Sequence, residues 1–264
     1  MKILEYETDH NIRAFSTLRG KGSDNYAEFN ITHYCGDTPE HVAECREKLC
    51  KVLGIEDKSL ILPRQTHGNK VICIEKEFTS LCKEQQTELL QGIDAIITDV
   101  PRTCIGVSTA DCIPVLLYDS TKGVVAAVHA GWRGTVARIL NNCITEMICR
   151  YRCKAEEIKA IIAPGISMDS FEIGDEVYEE FAKAGFPMNG IAKRYPSGHE
   201  EKWHIDLWEA NRLLMVNAGI KEEHITMCGI CTYKQHNDFF SARRLGINSG
   251  RIFNGIINEK MTTI

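Results

Sequence analysis

Four nearly unbroken apolar runs occupy the middle of the chain, at 93–98, 104–108, 114–118 and 124–129, each closed by turn residues. Strands that are apolar at almost every residue predict a sheet covered on both faces. Shorter runs at 59–62 and 70–74 flank Pro63-Arg64-Gln65-Thr66-His67-Gly68 and predict two strands around a polar loop. Runs at 158–163 (closed by Pro164-Gly165), 225–228 and 251–257 predict later strands. A different period marks the helices. Across 38–54, Thr38 can cap, Pro39 suits the first turn, and Val42, Cys45, Leu49 and Val52 recur at helical spacing. A second helix is predicted after Gly134, with Val136, Ile139, Leu140, Cys143, Met147 and Ile148 on one stripe. Segments 175–183 and 207–218 predict two more, and 20–26 reads as a turn-rich loop. Strands and helices mix without regular βαβ alternation. The predicted fold class is therefore α+β, a single domain over 1–264 with mixed β-sheets flanked by helices.

Composition narrows the partners. Hydrophobic residues make up 44% of the 264 positions and charged residues 25%, an ordinary globular balance. The net charge of −5 gives no general drive toward nucleic acid. No apolar run approaches the ~18 residues of a membrane span. Met1-Lys2-Ile3-Leu4-Glu5-Tyr6-Glu7 carries acids where a signal peptide needs an apolar core. The twelve cysteines fall well below the density of disulfide scaffolds, and most sit in apolar patterns, such as Cys45, Cys73, Cys104 and Cys143. They read as reduced thiols, and the expected compartment is the cytoplasm. Cys228-Gly-Ile-Cys231 has redox spacing, but strand alternation would turn its thiols to opposite faces. Gly20-Lys21-Gly22-Ser23 lacks the spacing of a phosphate-binding loop.

Three segments break their local pattern. Arg64-Gln65-Thr66-His67-Gly68 is polar between apolar strands. Ser108-Thr109-Ala110-Asp111-Cys112 interrupts two buried strands. A histidine ends the run before His129-Ala130-Gly131-Trp132-Arg133-Gly134. All three are strand-end or loop positions, where a rigid sheet can hold side chains in a shared pocket. His67, Cys112 and His129 would supply two imidazoles and a thiolate, a set suited to Zn²⁺. Three ligands leave a fourth position for water, whose pKa on zinc falls toward about 7. Asp111 is expected to orient a ligand histidine or exchange a proton. With no His-x-His pair, a multicopper cluster of the blue-oxidase type is not expected, although two imidazoles and a thiolate also accept copper as an adventitious substitute.

These segments resemble the laccase-domain, or multicopper-polyphenol-oxidase-like, family, which includes bacterial purine nucleoside phosphorylases and a peptidoglycan editing factor. The likeness is carried by Gln65-Thr66-His67-Gly68, by 109–117 with its Ala110-Asp111-Cys112, and by His129-Ala130-Gly131-Trp132-Arg133-Gly134. It continues through Pro164-Gly165-Ile166, Phe171-Glu172-Ile173-Gly174, Asp206-Leu207 with Asn211-Arg212, Cys231-Thr232, 239–244 and Gly250-Arg251. The resemblance implies an α+β fold and a zinc site at His67, Cys112 and His129. It implies phosphorolysis of adenosine, inosine and methylthioadenosine, and deamination of adenosine. Purine nucleosides and phosphate are then the expected partners, with the chain a monomer or homodimer. Where relatives carry Asn-Leu-Gly near the N-terminus, Asn30 is kept and Thr32 replaces the glycine. Asn30 and Gln65 are expected at the substrate. Because a planar guanidinium matches phosphate, Arg64, Arg133, Arg243 and Arg244 are the expected phosphate contacts. Cys112, His129, Asp111 and Arg133 are the expected catalytic group.

Two rival readings use the same residues. In a Cys–His amide hydrolase acting on peptidoglycan peptides, Cys112 is the nucleophile and His129 its base. In a zinc-stabilised binding scaffold the site has no turnover. A further alternative is a copper-loaded phenol oxidase, in which apparent phenol oxidation is the result of copper occupying the two-His, one-Cys set.

Overall fold

The computed structural model describes residues 1–22 and 24–260. Ser23, in the turn-rich loop, lies outside the described residues. In chain order the strands are β1 (Ile3–Glu5), β2 (Ile12–Thr17), β3 (Leu60–Ile61), β4 (Val71–Ile74), β5 (Ala95–Thr98), β6 (Cys104–Thr109), β7 (Ile113–Asp119) and β8 (Val124–Ala130). They continue with β9 (Lys159–Ile162), β10 (Glu172–Ile173), β11 (Ala192–Ser197), β12 (Glu200–Ile205), β13 (Ile225–Met227) and β14 (Ile252–Asn258). The α-helices are α1 (Pro39–Leu53), α2 (Lys83–Leu89), α3 (Trp132–Val136), α4 (Ile139–Tyr151), α5 (Asp175–Lys183), α6 (Met188–Ile191), α7 (Leu207–Asn217) and α8 (Ala242–Leu245).

Two sheets stack face to face. One has the order β1-β2-β14-β6-β3, the other β13-β9-β7-β8-β5-β4, and both mix parallel with antiparallel pairs. A small third sheet, β10-β12-β11, packs at one side. The apolar runs are continuous because each strand feeds two cores. Ile96, Leu116, Val125, Ala127 and Ile161 point toward Ala14, Ile105, Val107 and Ile256 of the other sheet. Their sequence neighbours Ile97, Val115, Leu117, Val124 and Ala126 point the opposite way, onto Leu140, Cys143 and Met147 of α4 and Leu214 of α7. The outer face of the five-stranded sheet, with Phe15, Phe253 and Ile257, is covered by Cys45, Leu49 and Leu53 of α1. The order of layers is thus helix, sheet, sheet, helix. Among the described residues no helix is long and apolar enough to cross a membrane.

The structure departs from the sequence expectation in several places: Val52 and Ile148, expected on apolar stripes, are exposed, and the short elements β10, α6 and α8 were not predicted. The single helix predicted after Gly134 is two: α3 begins at Trp132, and Arg138, at φ 62°, turns the chain left-handed before α4. The Arg138 guanidinium lies 4.3 Å from the Phe186 ring centroid and bonds the Ala184 carbonyl, which holds that break. β1, three half-exposed or exposed residues at the sheet edge, was not predicted, nor was β2, whose Ser16 and Thr17 are polar yet buried and bond Asn254 and the Phe253 N–H. The hairpin β11–β12 and the helix α2 also escaped prediction, since their side chains are largely charged or polar and exposed.

Candidate metal centre

Strand register collects the site at one rim of the six-stranded sheet. On β5 and β8, Ala95 lies opposite Val128; on β7 and β8, Pro114 lies opposite His129. Asp94, immediately before β5, and Cys112, immediately before β7, therefore both end up beside His129. β4 runs parallel to β5, with Val71 beside Ala95, and this brings the loop that carries His67 to the same rim. The ligand-capable atoms of His67, Cys112 and His129 all lie within 4.8 Å of one another. The two imidazoles meet edge to face at 74°. His129 is buried, Cys112 half-buried and His67 exposed, so the cluster opens to solvent on the His67 side.

Asp94 organises both histidines and was not singled out from the sequence. One carboxylate oxygen accepts the His67 N–H at 2.9 Å and contacts His129 Nδ1 at 2.8 Å. The other accepts the N–H groups of Thr66 at 3.2 Å and Gly68 at 2.8 Å. Consecutive N–H groups curled around an anion form a nest, and here it secures His67 at φ 63°. With Nδ1 engaged by Asp94, His129 presents Nε2 to Cys112. The clue was present in the sequence: an acid opens an otherwise apolar strand, the same broken pattern that marked His129.

The electrostatics couple Cys112 and His129 as a thiolate beside an imidazolium, and the His129 proton must leave when a metal binds. Burial alone pushes the Cys112 thiol upward, but the His129 charge and hydrogen bonds from His129 and His67 outweigh it and bring it down to about 6. Burial pushes His129 downward, while the Cys112 charge and the Asp94 hydrogen bond carry it up to about 9. The cluster thus favours a thiolate, the form that binds metal. Space is provided as well. A Cβ built on Gly131 would sit 3.0 Å from Cys112 Sγ, 3.3 Å from the His67 ring and 3.7 Å from His129 Nε2, inside the mouth of the cluster. Donor types, spacing, an orienting carboxylate and an open approach together fit a divalent ion with three protein ligands.

The family described as multi-copper polyphenol oxidoreductase laccase matches residues 13–259. The chain belongs to this family. A Bacteroides thetaiotaomicron protein named purine nucleoside phosphorylase is 44% identical over 264 residues, covering 98% of this chain and 97% of its own. Adenosine deaminase RL5, from an unknown prokaryotic organism, is 45% identical over 250 residues and 94% of each chain. The crystal structure of the Bacillus licheniformis hypothetical protein YfiH superposes with a TM-score of 0.85 at 25% identity, over 97% of this chain and 96% of that one. Despite the laccase family's multi-copper description, the described residues bring together one group of three such ligands.

The remaining residues expected at the site of this laccase-family chain are dispersed around it. Asp111 bonds neither histidine; its carboxylate accepts from Thr232, Ser241 and the Arg243 N–H, so the orienting role expected of it falls to Asp94. Asn30 has no exposed surface. Its amide bonds Asp37 at 2.8 Å and accepts the Arg251 N–H at 3.2 Å, which places it in the support of a loop. Gln65 fastens its loop to β6 through both ends of its amide, to Ser108 O at 2.8 Å and from Ser108 N–H at 2.7 Å. The guanidinium of Arg133 lies over Trp132 at 4.2 Å, and that of Arg244 over Tyr233 at 4.3 Å. The Arg64 backbone pairs with Leu90 and Gly92 while its side chain is exposed. Each of the twelve cysteines is a free thiol, and Cys231 Sγ accepts from Ser167 Oγ at 3.0 Å. A cleft of about 690 Å³ beside α1, lined by His33, Arg46, Cys50 and Asp57 among others, includes none of the three ligand residues.

Proposed function

We propose that this chain is a zinc-dependent enzyme of purine nucleosides, catalysing phosphorolysis of adenosine, inosine and methylthioadenosine and deamination of adenosine. The observation that carries this reading is the convergence of His67, Cys112 and His129 within 4.8 Å at a solvent-open rim. The names of the relatives support the substrate class: purine nucleoside phosphorylase and adenosine deaminase at 44% and 45% identity. His67, Cys112 and His129 would hold the ion. When bound, Zn²⁺ supplies Lewis acidity and lowers the pKa of water toward about 7, which suits replacement of an amino group. Copper is the adventitious substitute, since the same ligands accept it.

The protein's own groups do the rest. Asp94 fixes the His129 ring, and Cys112 enters as a thiolate. In phosphorolysis a phosphate oxygen bonds C1′ of the ribose as the bond from C1′ to the purine nitrogen breaks. An arginine fork beside the cluster holds that phosphate and offsets its charge. The proposed setting is the cytoplasm, with the chain a monomer or homodimer and no nucleic acid as partner.

The test is incubation of the purified protein with adenosine and phosphate, followed by separation of adenine, inosine and hypoxanthine. Adenine reports phosphorolysis, inosine reports deamination, and hypoxanthine reports both in sequence. Replacing His129 by alanine removes bound zinc and all turnover; turnover retained in that variant overturns the proposal. A second reading is favoured by Cys112 and His129 standing with their reactive atoms within 4.8 Å and Asp94 bonded behind His129 at 2.8 Å, the arrangement of a thiol amide hydrolase. Metal-free protein that cleaves peptidoglycan peptides and is inactivated by alkylation at Cys112 would establish it instead.

A further inference from the structure

Asp111 stands in the turn between β6 and β7 at φ 89°, a left-handed conformation that non-glycine residues rarely adopt. Such strain persists only where neighbours over-determine it. The neighbours are present. The Asp111 carbonyl accepts the Ile166 N–H at 2.9 Å. One carboxylate oxygen accepts the Thr232 hydroxyl at 2.7 Å; the other accepts the Ser241 hydroxyl at 3.0 Å and the Arg243 backbone N–H at 2.7 Å. The residue is buried, and no lysine, arginine or histidine side chain forms a salt bridge with it among the described residues. Three distant chain segments, at Ile166, Thr232 and 241–243, are thus tied to the residue that immediately precedes the Cys112 ligand.

The four candidate arginines are not equivalent in this frame. Arg244 is turned back onto Tyr233, with its Nε bonded to the Tyr233 carbonyl at 2.8 Å. Arg133 rests on the Trp132 ring, and no bond of the Arg64 side chain is formed among the described residues. Arg243 alone has its backbone fastened to the residue beside a ligand. Its exposed guanidinium bonds one carbonyl, Glu172 O at 3.1 Å, and stands 5.6 Å from the Phe171 ring centroid. A guanidinium has five N–H donors. With one of them engaged, the others remain for an anion, and what sets Arg243 apart from the ring-stacked Arg133 is its backbone bond to Asp111.

We propose that Asp111 is a positioning residue that ties the Arg243 turn to the Cys112 ligand, making Arg243 the arginine that contacts inorganic phosphate. This rests on the reading of the site as a nucleoside phosphorylase. It assigns Asp111 no proton transfer.

The experiment compares Arg243→Gln, Asp111→Asn and Asp111→Ala with the unaltered, metal-containing protein. Three readouts are taken: metal content, adenosine deamination without phosphate, and the phosphate KM of phosphorolysis. Arg243→Gln raises the phosphate KM by about tenfold or more, the scale of a lost charge-assisted pair, while deamination changes by less than about threefold. Asp111→Asn keeps an oxygen for the Arg243 N–H, turns its amide toward Thr232 and tolerates the left-handed turn; it stays within about threefold of the parent. Asp111→Ala reproduces the phosphate defect at unchanged metal content, and combining it with Arg243→Gln adds little, as expected of coupled residues. Loss of deamination in both Asp111→Asn and Asp111→Ala at full metal content would instead mark a proton-transferring acid and overturn the proposal. So would an unchanged phosphate KM in Arg243→Gln, or a larger rise in Arg64→Gln or Arg133→Gln. Should Asp111→Ala fail to fold, the exposed Arg243 still decides. Should the parent turn over no nucleoside, the Proposed function fails separately. Titration of inorganic phosphate by calorimetry then reads this site alone: binding weakened by Arg243→Gln sustains the proposal, and no binding to the parent ends it.

Discussion

Two acids near the cluster show how much one position decides. Asp94 and Asp111 both interrupt apolar strands, yet only Asp94 touches the histidines. Replacing Asp94 by asparagine leaves the His67 loop and the His129 ring less firmly held. Zinc affinity, measured by competition with a chelator, is expected to fall about 10–100-fold, the usual cost of losing an orienting partner. An unchanged affinity would mean that the rings are fixed by packing alone. His67, Cys112 and His129 were legible in the sequence because each is a polar or reactive side chain where the pattern called for an apolar one or a plain turn. Asp94 carries the same mark inside the run 93–98 and passed unnoticed because its neighbours are so apolar. Asn30 shows the opposite case: a side chain expected at a substrate is enclosed, because its amide satisfies backbone groups in a loop that only the fold brings together.

At the level of elements, α1 follows local rules closely. Thr38 Oγ1 accepts the His41 N–H at 3.3 Å, Pro39 opens the first turn, and Cys45, Leu49 and Leu53 face the five-stranded sheet. Thr38→Ala is expected to cost about 1 kcal/mol in denaturant unfolding, and Leu49→Ala about 2–5 kcal/mol, through the lost cap and the cavity respectively. α3 obeys a longer-range requirement. A Cβ on Gly134 would stand 2.9 Å from the Gly68 carbonyl, so α3 seats directly on the His67 loop. Gly134→Ala therefore forces the two apart. The expected result is a destabilisation of about 1–3 kcal/mol by overpacking, together with weaker metal retention. Full metal content with unchanged stability would show that the contact does not set the site. Helical spacing alone ran α3 and α4 together, since the break at Arg138 depends on Phe186 and Ala184, nearly fifty residues away in sequence.

Over the whole molecule, the ligands arrive from different parts of the stack, and a bound ion would tie them together. Chelation is expected to lower the midpoint of thermal unfolding, and added Zn²⁺ to restore it, because a ligand bound only to the folded state stabilises it by mass action. A smaller link joins the two sheets. Asp9, between β1 and β2, bonds Lys159 of β9 at 2.6 Å and the Ser120 hydroxyl after β7. The hydrogen bond from Lys159, then that from Ser120, hold the Asp9 carboxyl below its ordinary range. A carboxyl depressed in the folded state stabilises above its unfolded pKa of about 3.9 and loses that contribution as pH falls through the folded value. Being partly exposed, the pair contributes at most about 1 kcal/mol. Asp9→Asn is expected to lower stability at neutral pH by that amount, with the difference from the parent fading below about pH 4. A constant difference across that range would rule out the ionic origin. By itself the sequence determined the α+β class, the central strands, the capped helix α1 and the three side chains His67, Cys112 and His129 that the fold gathers into one cluster, because periodicity, capping and misplaced polar side chains act over a few neighbours. Only the tertiary structure decided that Asp94 orients the histidines, that Asp111 fastens Arg243, and that one long helix is two. Those outcomes depend on strand register and on contacts between residues far apart in the chain, where no local pattern records which groups will meet.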